Sequence, residues 1–142
     1  MSRFNVTVGS EGAAIGLLAD QLDLITSRVY KAVTTGSSAT AAAADFLGGV
    51  YHFSGGSTYT LTTPTAAQLV AAFPNVEVGC AMPFRIYNAN SGTTTVTAGS
   101  GVTIVGPSTV ATNKGQGWDV IVTNATAGSE AVVMVAHSYA NG

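Results

Sequence analysis

The chain carries little charge. Of its 142 residues 8% are charged, with 5 Lys or Arg against 7 Asp or Glu and a net charge of −2; soluble proteins average about 25% charged residues. Five cations cannot neutralise the run of phosphates that an electrostatic nucleic-acid binder needs, so no nucleic-acid partner is expected. The single cysteine, Cys80, excludes an internal disulfide and a cysteine-rich metal site. No run of about 18 apolar residues is present, so no membrane partner is expected. No apolar stretch follows Met1-Ser2-Arg3-Phe4-Asn5, so no signal peptide is expected either. The low charge is not a sign of disorder, because 46% of the residues are hydrophobic.

What replaces charge is Thr, Ser, Gly and Asn. A hydroxyl-and-amide surface of small net charge favours association with neighbouring copies. The length suits one domain with room for an arm.

Phe4, Val6 and Val8 alternate with Asn5 and Thr7, the pattern of a short strand or extended arm. Ser10 reads as an N-cap, and residues 10–31 read as a helix. Ile15, Leu18, Leu22, Ile25 and Val29 form one apolar stripe along it. Leu17 and Leu24 project from the opposite face and offer a second contact. Phe4, Val6, Val8, Leu17 and Leu24 are therefore the candidate interface residues. Residues 32–49 read as linker, with Gly48-Gly49 as the candidate domain boundary: arm and helix in 1–49, a β-domain in 50–142.

From Val50 the text turns to β. Residues 50–53 and 58–61 read as two strands of a hairpin turning at 54–57. Thr65-Ala66-Ala67-Gln68 is a capping box opening a short helix that ends at Pro74. Further strands are expected at 82–87, 93–97, 102–105, 118–123 and 130–136. The turns after Tyr87 and Thr123 resemble each other: each begins on Asn (Asn88, Asn124), with Gly four positions later (Gly92, Gly128) where positive φ is expected. Short strands with a turn about every ten residues indicate an antiparallel β-sandwich or barrel. The fold class expected is thus mainly β, with an N-terminal arm and one amphipathic helix.

The residues able to carry chemistry are few and scattered. His52 and His137 are far apart and lack the three or four convergent ligands of a metal site. Cys80 has no nucleophile context around it and reads as a small buried residue. Asp119 and Glu130 are the only carboxylates on neighbouring strands, and solvated surface is the simpler reading. Gly115-Gln116-Gly117 is too short for a phosphate cradle. Trp118 reads as a core residue beside a turn. No catalytic residue, cofactor or metal is expected, and the chain is not expected to be an enzyme.

Several stretches carry a likeness. They are Thr60-Leu61-Thr62-Thr63-Pro64-Thr65-Ala66-Ala67-Gln68-Leu69-Val70-Ala71-Ala72-Phe73-Pro74-Asn75 with Val78-Gly79 and Pro83-Phe84-Arg85-Ile86-Tyr87-Asn88, then Gly101-Val102-Thr103-Ile104-Val105-Gly106, then Val120-Ile121-Val122-Thr123-Asn124. From Ser54 onward the text resembles a recurrent small domain of tailed-bacteriophage virion proteins, found in capsid decoration (cement) proteins and in head or tail fibres. The resemblance implies a structural protein on the outer surface of the capsid, made in the host cytoplasm. It implies binding to the major capsid protein and, with the low charge and two-sided helix, to itself as a homotrimer. The alternative is a fibre or adhesin domain that binds a host surface receptor.

Overall fold

The computed structural model describes residues 29–73 and 75–137. The candidate interface residues Phe4, Val6, Val8, Leu17 and Leu24, and all but the end of the expected helix, lie outside them. The described residues are mainly β and form two sheets, as the sequence reading expects. One sheet has the order β1 (Tyr30–Val33), β3 (Val50–Phe53), β5 (Ala81–Asn88), β9 (Lys114–Asn124), β10 (Ala131–His137), β7 (Val102–Val105). The other has the order β2 (Ser38–Thr40), β4 (Tyr59–Thr62), β6 (Thr94–Thr97), β8 (Thr109–Val110). Two short helices, α1 (Ala43–Phe46) and α2 (Ala66–Ala72), lie on the connections.

The pairing is not mostly antiparallel. β1, β3 and β5 are parallel, and so are β2, β4 and β6. Parallel neighbours need a crossover between them. Here the crossover runs through a strand of the opposite sheet, so the chain winds in stacked circuits: β1 to β2, β3 to β4, β5 to β6. The expected hairpin at 54–57 is accordingly a corner between sheets, because β3 and β4 never pair. Antiparallel pairs form only after β6: β8 runs against β6, and β9 against both β5 and β10. The hairpin of β9 and β10 lies where the sequence places it. Alternating burial, with Tyr51 and Phe53 covered in β3 and Tyr59 and Leu61 in β4, records which face of a strand is covered, not the direction of its neighbour.

Two further expectations are corrected. The helix assigned to residues 10–31 does not reach Lys31, since Tyr30–Val33 is strand β1, held in parallel register against β3. Gly48-Gly49 is not a boundary between domains, because β1 and β2 pair with β3 and β4 across it. The composition changes there because the first circuit is short and exposed.

The corners stack backbone on backbone. Ser54 N donates to Val33 O, Ser91 N to Gly56 O and Gly92 N to Ser57 O, so each corner hangs from the one before. Such contact leaves no room for a Cβ: one on Gly92 would lie 2.9 Å from the Ser57 carbonyl carbon and oxygen. Gly92 thus owes its place to close approach and not to positive φ; Gly128 alone of the pair is left-handed, at φ +81°.

The core fills the space between the sheets. Phe84 stacks on Phe46 at 3.9 Å and on Trp118 at 5.7 Å between ring centroids, and Tyr51 meets it edge-on. Trp118 is fully buried, as expected, and its Nε1 donates to the Pro107 carbonyl. The capping box opens α2: Gln68 N donates to Thr65 Oγ1 at 3.2 Å and Thr65 N to Gln68 Oε1 at 2.9 Å. Leu69 and Val70 of α2 are then buried in the core.

Tyr51 gives the core a pH limit. Burial, helped by Asp45 and Tyr59, pushes its hydroxyl up to about 12, whereas an unfolded tyrosine ionises near 10. Its neutral form is favoured by folding, so this contribution to stability is complete below about pH 10 and lost as pH rises towards about 12. Urea titrations of Tyr51→Phe should show a shallower loss of stability over that range than the parent. An equal loss in both proteins would place the titration elsewhere.

Candidate functional site

Among the described residues no three His, Cys, Asp or Glu side chains group as a metal site. Asp119 and Glu130 are not brought together. Asp119 lies opposite Val135, whereas Glu130 precedes Ala131, which lies opposite Asn124. Five strand residues separate them, roughly 17 Å, beyond either glycosidase spacing. Asp119 Oδ2 instead meets His137 Nε2 at 3.0 Å. Cys80 is partly buried, and its Sγ accepts from Glu77 N at 3.3 Å. His52 Nδ1 lies 2.7 Å from the Tyr30 hydroxyl, which donates to it when that nitrogen carries no proton.

The unusual surface is the outward face of the six-stranded sheet. A sheet with one solvated side ordinarily turns polar residues outward. This face instead holds Tyr30, Tyr87, Val105 and Val135, four of the six large apolar side chains exposed among the described residues. The face has two regions. Around β9, β10 and β7 it is largely aliphatic: Val135 is paired with Val105 and Ile121 with Val133, while Asp119, held by His137, lies on the other side of Val135 and Thr103 beside Val133. Around β1, β3 and β5 it is aromatic: His52 is the register partner of Tyr87, with ring centroids 5.5 Å apart, and its other side carries Tyr30. Val135 lies opposite Asp119, four strand residues from Gly115 on β9, so about 13 Å along the strand separates the two regions.

Between β5 and the start of β9 the aromatic region opens into a cleft of about 500 Å³. Arg85, Tyr87, Asn113, Lys114, Gly115 and Gly117 line it. The strand expected at 118–123 begins earlier, at Lys114, so that β9 takes both glycines into the strand.

The sequence reading missed this face. A signal was present in Val120-Ile121-Val122 and Val132-Val133-Met134-Val135, which are apolar without alternation and so must place aliphatic side chains on both faces of the sheet.

In comparisons with protein-family models, with curated proteins and with solved structures, nothing matches the chain.

Proposed function

We propose that the chain is a structural virion protein that decorates and cements the outside of an icosahedral capsid, with the major capsid protein and sister copies as partners. The observation that carries the reading is the aliphatic region of the outward sheet face. Val105 is 49% and Val135 38% exposed, and each is the other's register partner, Val135 on an inner strand and Val105 on the edge strand β7. An apolar patch on a rigid, weakly charged domain is suited to burial against a neighbouring protein. Fully burying each such valine is worth about 1.5–3 kcal/mol, an upper bound for side chains already partly covered. Summed over copies arranged with the shell's symmetry, such terms bind tightly through effective concentration. The work done is adhesion across subunit seams, and homotrimeric assembly would place three such patches on one contact site.

The test is made on virus particles. Heads purified from a phage encoding the chain should carry it in a copy number set by the shell symmetry, visible as density on the capsid surface. Heads assembled without the gene should release their genome at a lower temperature. Val105→Ser with Val135→Ser should reduce occupancy while the isolated protein keeps its circular dichroism spectrum. Absence from the head, or a location confined to fibres or tail tip, would overturn the reading and favour the adhesin alternative.

A further inference from the structure

We propose that the cleft between β5 and the start of β9 is a binding site for a saccharide bearing a carboxylate. The inference stands apart from the capsid reading, because it concerns a different region of the sheet face and is tested on the isolated protein.

Charge comes first. Three Lys or Arg residues lie among the described residues, and Lys31 is satisfied by Asp45 at 3.1 Å. Of the other two, Arg85 lies on the cleft face, while Lys114 lines the rim in register with inward-facing Asn88 and so projects from the other side of the strand; none of the lining residues is acidic. The nearest carboxylate on the sheet face, Asp119, is engaged by His137. In a chain with so few charges, an arginine without a carboxylate partner on the cleft face offers a contact for an anion. Arg85 supplies the planar fork that matches a carboxylate.

The second element is the platform. The Tyr87 ring is 45% exposed at the cleft wall. It is backed by His52, which the Tyr30 hydroxyl holds in turn, so the ring is braced on the side away from the cleft. An exposed, braced aromatic ring suits the C–H face of a pyranose, while Asn113 offers an amide to its hydroxyls.

The third element is room. Gly115 and Gly117 sit in an extended strand, where glycine costs stability. Neither is left-handed. A Cβ on Gly115 would meet Ile86 O at 3.6 Å and Tyr87 Cδ2 at 3.9 Å; on Gly117 it would come no closer than 3.6 Å to any atom. The fold does not demand glycine at either position. What Gly115 provides is an exposed floor of backbone beside Tyr87, where a ligand can lie, while Gly117 is buried beside the His137 ring and the Arg85 stem. A single-stranded nucleic acid could also use a cation and an aromatic ring, but one arginine on the cleft face is too few to track its backbone.

The experiment is calorimetric titration of the full chain with trigalacturonate and with an α2,8-linked trimer of N-acetylneuraminic acid. Maltotriose, inorganic phosphate and a deoxythymidine decamer serve as comparisons. At least one acidic trimer should bind, and more tightly than maltotriose or phosphate. Arg85→Gln should weaken that binding at least about tenfold, as loss of a charge-assisted contact does. Gly115→Leu should abolish it by filling the floor, with the melting temperature reported for both variants. Tyr87→Ala, on the exposed face, gives a third readout should Gly115→Leu prove unstable. The proposal is overturned if neither acidic trimer binds, if maltotriose binds equally, if phosphate or the decamer binds more tightly, or if folded Arg85→Gln and Tyr87→Ala bind the acidic trimer like the parent.

Discussion

Gly55→Ala should leave the protein unfolded. A Cβ at this position would lie 1.5 Å from the Thr34 carbonyl oxygen and 2.0 Å from its carbon. Both are backbone atoms, so no rotamer change relieves the clash. The corner of the second circuit must lift off the first, and the bond from Ser54 N to Val33 O goes with it. A loss of more than about 4 kcal/mol is expected, a large share of the roughly 5–15 kcal/mol that holds a domain together. Gly56→Ala is the control: its Cβ would stand 3.5 Å from Gly36 O, an ordinary contact, and it should cost less than about 1 kcal/mol. Urea denaturation followed by circular dichroism separates the two. A Gly55→Ala protein with the parental midpoint would show that the corners do not stack as described.

Asn88→Leu should cost about 3–5 kcal/mol. Asn88 is fully buried at the end of β5. Its Nδ2 donates to the carbonyls of Gly92 and Val110, each at 2.9 Å, and its Oδ1 accepts from Asn90 N at 3.0 Å. Asn90 continues the chain of contacts by accepting from Gly56 N, in the circuit below. Leucine has a similar volume but takes the amide partner from the Val110 carbonyl and the Asn90 N–H, and leaves the Gly92 carbonyl only the Thr112 hydroxyl at 3.4 Å; each buried group so deprived costs about 1–3 kcal/mol. Asn124 makes the same turn in the open, accepting from Thr126 N at 2.9 Å. Asn124→Leu should therefore cost less than about 1 kcal/mol, because water can take over there. Equal midpoints for the two variants in urea would refute the difference in burial on which the argument rests.

These two asparagines show what could be read in the sequence. The likeness between the turns at Asn88 and Asn124 is visible in the residues, and the same side-chain-to-backbone bond forms at both. That one turn joins two sheets while the other closes a hairpin is not visible, because it depends on what the following strand pairs with. The helix at Ala66–Ala72 was legible because its capping box is a local device. Trp118 was legible as core because a large ring in an apolar strand has few other places to go.

The circuits were hidden for a physical reason. Tyr30 is in register with Val50, 20 residues on, while Val50 is in register with Arg85, 35 residues on. A repeat with no fixed period leaves no period to find. The same lack of alternation that marks β9 and β10 as apolar on both faces also passes unnoticed when each strand is judged alone. As for the cleft, its cation Arg85 and its ring Tyr87 are ordinary outward residues of β5. Only the register that sets Gly117 beside Arg85 and Gly115 beside Tyr87 turns them into a site.

The unequal circuits bear on how such a protein can evolve. Where the chain passes from the first sheet to the second, successive corners rest on each other's backbone, and an inserted residue would have to displace the whole stack. Where it returns, the second circuit already carries α2 and the loop after it with no break in the parallel register on either side. Return connections can lengthen, shorten or exchange sequence while the sheets keep their order. The molecule therefore has one conservative edge and one permissive edge. Diversification among descendants of this chain would gather along the permissive one, leaving the outward sheet face and its cleft unaltered.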